Sequence, residues 1–229
     1  MSDYREVMYP PDEENSYPYQ LSSYIYNRFF KDITQDLPVI LDIGCCTGAA
    51  LKTFEHVYPM VLHGIDIRDE GGEGFIFKEC NLERERIPYP SNYFDCVYTK
   101  SVIEHVRNTD NFLGEAQRVL KPGGVLVVLT PDWKSQYKIF WNDYTHVKPF
   151  TRKGLRDALK ICGFEESDCE YFYQLPFIWK RPWLRFVAKL IALLPDFLKW
   201  KDREQRNTRD RKLIRFSKEI MLLGYGVKK

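Results

Sequence analysis

Two places in this chain carry residue types able to do chemistry. The first is Asp42-Ile43-Gly44-Cys45-Cys46-Thr47-Gly48, where a run of β-formers ends in an acid and breaks into a glycine-bounded turn. A dinucleotide loop uses G-x-G-x-x-G so that its backbone can approach a pyrophosphate. Here Cys46 stands at the second glycine and Asp42 lies just ahead of the loop, so a cationic ligand suits it better than a doubly charged anion. No G-K-[ST] follows, which excludes a P-loop. The second place is set by histidine, of which there are four: His56, His63, His105 and His146. His56 and His63 sit in helix-like and strand-like runs and read as structural. His146 follows Asp143 by three residues, and such a carboxylate can orient an imidazole that removes a proton from an acceptor. His105 is the other base candidate. Packing or loop anchoring is the competing reading for both.

The elements that must position these residues alternate. Strand-like runs cover 38–43, 61–66, 74–78, 93–98 and 125–129, and helical patterns cover 16–35, 47–58, 110–120 and 151–161. A helical turn is expected at 101–106, and Lys121-Pro122-Gly123-Gly124 is a strong turn signal. Alternation with short connections predicts an α/β doubly wound sheet. Two further strands are expected at 170–175 and 219–227, with a basic, Trp-rich, helically patterned insertion between them. The organisation expected is one domain over 1–229: a helical cap at 1–37, a core at 38–176, the insertion at 177–216 and the last strand at 217–229.

Five segments taken together resemble one family. Asp42-x-Gly44-x-Cys46-x-Gly48 is similar to motif I of the class I S-adenosylmethionine-dependent methyltransferases, and Asp66 ends the next strand 22 residues after Gly44. Cys80-Asn81-Leu82 and Ile87-Pro88-Tyr89-Pro90-Ser91-Asn92-Tyr93-Phe94-Asp95 resemble the adenine-contact segment and the lead into strand four. Ser101-Val102-Ile103-Glu104-His105-Val106 resembles S-x-V-L-E-H-V, and Arg118-Val119-Leu120-Lys121-Pro122-Gly123-Gly124 resembles R-V-L-K-P-G-G. The likeness covers 39–131 well and extends loosely through Gly163; its nearest character is that of small-molecule enzymes acting on ubiquinone precursors or sugars.

The resemblance implies a mostly parallel seven-stranded Rossmann-like sheet and S-adenosylmethionine as cofactor. Asp42, Gly44, Cys46 and Gly48 would form the cofactor loop, Asp66 would hold the ribose hydroxyls, and Asn81 and Leu82 would meet the adenine. Ser101 would lie near the methionine end, with His105 one helical turn beyond it. Cys46 and Asn81 depart from the family's usual glycine and acid, although an amide oxygen still accepts a hydrogen bond. Trp141 to Phe150 resembles a d-x-T-H-v-r-x-f segment, which places His146 over the C-terminal edge of the sheet, where acceptors bind. The reaction implied is O-methylation of a small molecule, sugar or lipid-linked acceptor. The alternative is a catalytically weak binding module of the same fold acting through its basic C-terminal surface. No metal is expected: catechol-type relatives place an acid after strand four and Asp-Asn after strand five, where this chain has Ser101 and Pro131-Asp132. Thr99-Lys100-Ser101-Val102 does not match the [DNS]-P-P-[YF] of nucleobase amine enzymes.

Bulk properties bound the rest. With 44% hydrophobic and 29% charged residues, one globular domain with a moderate appendage is expected. No uncharged apolar run reaches spanning length, and the polar N-terminus lacks a secretory pattern. Six cysteines without metal-type spacing predict free thiols in a reducing cytosol. The net charge of +2 hides an asymmetry: residues 177–229 carry 15 Lys+Arg against 5 Asp+Glu, and residues 1–176 carry 19 against 27. For the insertion three readings stay open. Its apolar stripe (183, 186, 187, 190, 191, 194, 197, 198) packs on the protein or a second subunit, or it lies in an anionic membrane surface anchored by Trp179, Trp183 and Trp200, or the basic tail meets nucleic acid, the weakest of the three. Cytoplasmic residence, peripheral at the inner face of a membrane, is the expectation; the oligomeric state stays open.

Overall fold

The computed structural model describes residues 17–33, 36–199 and 211–229. Seven strands form one sheet in the order β3-β2-β1-β4-β5-β7-β6. They are β1 (Val39–Ile43), β2 (Val61–Asp66), β3 (Ile76–Glu79), β4 (Phe94–Lys100), β5 (Leu120–Pro131), β6 (Phe164–Phe172) and β7 (Met221–Lys228). β7 runs antiparallel to both neighbours; every other pairing is parallel. The ends of β1, β2, β4, β5 and β6 therefore share one edge, and chain order reverses between β1 and β4, the place where doubly wound sheets bind ligands. β1 and β4 are buried on both faces because helices cover both sides.

One layer holds α3 (Thr109–Val119) and α4 (Arg152–Ile161), with Phe112, Leu113, Leu155 and Leu159 on Leu41, Val97, Leu126 and Val128. The other holds α1 (Tyr17–Ile25), a π-helical turn at Tyr26–Phe30 and α2 (Ala49–Val57), with Ile25, Phe30, Leu51 and Phe54 on Ile40, Cys96 and Val127. Two motif residues turn out to be fasteners of this frame. Asp95 accepts from Val39 N at 2.8 Å and from Lys121 Nζ at 2.8 Å, tying β1 to β4 and the β5 turn. Arg118 donates to Glu115, and to the carbonyls of Ile87 and Tyr89 at 2.8 and 2.9 Å.

The sixth strand differs from the sequence expectation. It starts at Phe164, directly after Gly163 (φ +86°), and ends before 173–175. Its run Glu165-Glu166-Ser167-Asp168 reads as loop because β6 is the sheet's edge, where charged residues guard unpaired backbone. The insertion between β6 and β7 holds α5 (Pro176–Lys180), α6 (Arg185–Ile191) and α7 (Lys212–Lys218). Both its ends lie on the ligand-binding edge. It folds on itself: Ala188 packs with Tyr173, Leu175 and Ile178, and Lys199 pairs with Glu219 at 3.2 Å and Lys218 with Asp196 at 3.0 Å.

Candidate active site

The loop after β1 turns through left-handed conformations at Gly44 (φ +79°), Cys46 (φ +53°) and Gly48 (φ +75°). A Cβ at Gly44 would fall 2.2 Å from Val102 Cγ2, so glycine is required where the loops after β1 and β4 meet. Cys46 adopts its strained conformation with compensation: its N–H donates to Asp66 Oδ2 at 2.9 Å. Asp66 also accepts from Ile67 N at 2.7 Å, so the acid expected at the ribose also fixes the loop. The Phe75 ring lies against Gly48, Gly64 and Gly72 so closely that a Cβ at any of them would strike it at 2.2 to 2.8 Å. Phe75 is a positioning residue that the sequence did not reveal.

Charge at this edge is unbalanced toward the acids. Asp42 is buried, and burial together with the Asp66 charge pushes its carboxyl well above the usual range, against a pull from Lys100. Burial lowers Lys100 in turn. A buried carboxylate beside a second one is the environment in which a bound cation is most favoured, so these residues fit a sulfonium cofactor with its amino-acid tail. Of the other expected contacts, Ser101 (φ +56°) donates its N–H to Leu129 O at 2.8 Å and closes the turn after β4. Asn81 is exposed, and its amide oxygen accepts from Glu83 N at 3.1 Å, which occupies one lone pair. Leu82 is buried in the core.

His105 and His146, 41 residues apart in sequence, come together with ring centroids 4.7 Å apart. The 143–148 loop is clamped to the turn after β4 by Val147 N and Lys148 N, which donate to Glu104 O at 2.9 and 3.0 Å. The partners assign both tautomers. His146 Nδ1 lies 2.7 Å from Phe140 O, which only accepts, so Nδ1 carries the proton. Thr145 gives its hydroxyl proton to Asp143 Oδ1 at 2.6 Å, so His105 Nδ1, 2.8 Å from that hydroxyl, must donate to it. In its neutral form His105 is left with a lone pair on Nε2. Burial and the neighbouring His146 also hold His105 toward its neutral form. Asp143 Oδ2 lies 3.7 Å from His146 Nε2, an ion-pair distance and not a hydrogen bond, and Asp143 also reaches His105 through Thr145. Glu104, Thr145 and Lys100 were given no role by the sequence, although Glu104 stands directly before His105. Burial pushes the Glu104 carboxyl up to about 7.

His63 is a core residue, bonded to the Tyr89 hydroxyl at 3.0 Å, and all six cysteines are free thiols. Trp179 is not a surface anchor. Its ring stacks on Phe172 at 5.1 Å and its Nε1 donates to Tyr173 O at 2.7 Å. Trp200 lies outside the described residues.

A methyltransferase-domain family matches residues 15–166, two-thirds of the chain. The chain belongs to the class I S-adenosylmethionine-dependent methyltransferase family. This methyltransferase is 35% identical over 108 residues to a ubiquinone biosynthesis O-methyltransferase of Bradyrhizobium sp., a match covering 42% of each chain. It is 36% identical over 129 residues to a ubiquinone/menaquinone biosynthesis C-methyltransferase of Cupriavidus necator, covering 54% of this chain and 43% of that one. The chain thus spans less than half the length of these curated relatives. The fold is that of an S-adenosylmethionine-dependent methyltransferase from Archaeoglobus fulgidus, with a TM-score of 0.64, 18% identity, and 99% and 100% of the two chains covered.

Proposed function

We propose that this methyltransferase methylates an oxygen of a small-molecule, sugar or lipid-linked acceptor held against His105 and His146. One observation carries the reading: the two imidazoles meet with both Nδ1 atoms engaged by fixed oxygens, and His105, held toward its neutral form, keeps a lone pair on Nε2. An amine acceptor already has its lone pair, whereas a hydroxyl must lose a proton as it attacks. S-adenosylmethionine, when bound, supplies an electrophilic methyl group on a good leaving group. The residues of this chain then bring the acceptor oxygen to within about 3–3.5 Å of that carbon and take its proton. The test is transfer of labelled methyl groups into an extract of the producing cells, followed by identification of the labelled product. His146→Ala should lower transfer by about 100-fold or more while cofactor binding persists. Cofactor binding with no transfer by the wild type would favour the binding-module alternative.

A second observation concerns the partner. Trp183, Phe186, Leu190, Leu193 and Phe197 are 54–80% exposed along one side of the insertion, and Lys180, Arg181, Arg185 and Lys189 are exposed around them. An apolar stripe bordered by cations is complementary to an anionic bilayer surface, and we read this face as docking there. No helix is long and apolar enough to cross a membrane among the described residues.

A further inference from the structure

We propose that Glu104, His105 and His146 bind one divalent transition-metal ion, and that the acceptor hydroxyl becomes a further ligand of that ion. One ligand atom from each of the three lies within 4.8 Å of the other two. A shift of about an ångström brings such donors onto a sphere of about 2.1 Å radius around one ion. Glu104 supplies the second observation. It is 0% exposed; Thr130 Oγ1 donates to Oε2 at 2.9 Å, while Oε1 is buried with no hydrogen-bond partner among the described residues. Buried carboxylate oxygens are normally matched, and a cation between the imidazoles would match this one. Lys100 faces Asp42 as well as Glu104, so its charge is shared.

The surroundings are those of a metal site. Each histidine gives its Nδ1 proton to a fixed oxygen, Phe140 O or Thr145 Oγ1, and so presents Nε2 in a set direction, the arrangement that ligating histidines adopt. Two imidazoles and one carboxylate suit manganese, iron, cobalt or zinc better than magnesium or calcium, and three protein ligands leave positions open for acceptor oxygen and water. The residues differ from the catechol-type set that the sequence excludes.

The acceptor role rests on the methyl-transfer reading; ion binding does not. A hydroxyl on such an ion ionises near neutral pH far more readily than a free one. The ion then does what was assigned above to an imidazole base: the O–H bond breaks and the proton passes to solvent water. The oxygen pair then forms the new C–O bond as the C–S bond breaks, and the C–S electrons stay on sulfur as a neutral thioether.

The test uses tag-free protein stripped with a chelator and titrated with Co2+, Mn2+ and Zn2+. The expected result is one ion per chain, with Co2+ absorption bands typical of nitrogen and oxygen ligation. Glu104→Gln and His105→Ala should each abolish stoichiometric binding while S-adenosylmethionine affinity is retained; should Glu104→Gln not fold, His105→Ala decides. Wild-type protein that binds S-adenosylmethionine but takes up none of the three ions, or variants that bind them like wild type, would overturn the site. Full methyl transfer by chelated enzyme would overturn the acceptor role and leave the histidine-base reading standing. Metal binding without any transfer would overturn the methyl-transfer reading, and the acceptor role with it, and leave the ion site standing.

Discussion

The hydroxyl of Thr145 lies 2.8 Å from Nδ1 of His105. Because that hydroxyl gives its own proton to Asp143, the carboxylate reads out on a histidine 38 positions earlier as well as on its sequence neighbour His146, 3.7 Å away. Thr145→Val should therefore release the His105 tautomer. The nitrogen chemical shifts of His105 should move from a single Nδ1-protonated form toward a mixture, and kcat should fall by about 10-fold or more with cofactor affinity unchanged. Thr145→Ser should restore both. Unchanged shifts in the valine variant would contradict the assignment.

Gly44 meets the turn after β4 through Val102. Gly44→Ala adds a left-handed penalty of roughly 1–2 kcal/mol and a collision with Val102 Cγ2 that overpacking places at about 1–3 kcal/mol. Thermal unfolding should show the loss. Val102→Ala in the same chain should return the collision part but not the backbone part, so recovery should be partial. Full recovery, or none, would argue against that division.

Asp42 couples stability to ligand charge. Its folded-state carboxyl is raised, so its contribution favours folding below the ordinary aspartate value of about 3.9 and is lost as pH rises from there toward the folded value. Asp42→Asn removes this loss. The ligand-free variant should gain stability over wild type increasingly as pH rises, while its S-adenosylmethionine affinity falls by about 10- to 100-fold, the worth of a hydrogen bond to a charged group. Melting temperatures across pH, with and without cofactor, check both signs. A variant less stable than wild type at neutral pH would contradict this account.

The exposed stripe of the insertion makes a prediction of its own. Full burial of one such side chain gives about 1.5–3 kcal/mol, and each nearby cation adds about 1 kcal/mol at an anionic surface. Phe186→Glu with Leu190→Glu should thus weaken binding to phosphatidylserine-containing vesicles by about 100-fold or more without changing melting temperature, and neutral vesicles should bind weakly throughout. Wild type that does not sediment with anionic vesicles would overturn the reading; a dimer that the double variant dissolves would assign the face to a second copy.

The sheet and its loop were legible in the sequence because buried parallel strands are continuous apolar runs and because Gly44 and Gly48 take the left-handed backbone that glycine favours. The same local rule fails at β6, where Glu165 and Asp168 obey the needs of an edge. It fails too at Trp179, which looks like an anchor but is held by Tyr24 and Phe172 from distant elements. The base candidates His105 and His146 could be named from sequence, but their tautomers could not. Those depend on Phe140 O and on the order Asp143–Thr145–His105, which only the closure of the 143–148 loop on Glu104 brings about. Phe75 was illegible for the same reason: its effect is a contact with three glycines, not a pattern.

The most direct measurement is labelled-methyl transfer from S-adenosylmethionine by wild type and His146→Ala side by side, with the product's new bond identified by mass spectrometry. Wild type should place label on an acceptor oxygen, and the variant should transfer about 100-fold less or lower, at equal cofactor occupancy. Label on carbon or nitrogen, or equal transfer by both proteins, would contradict it.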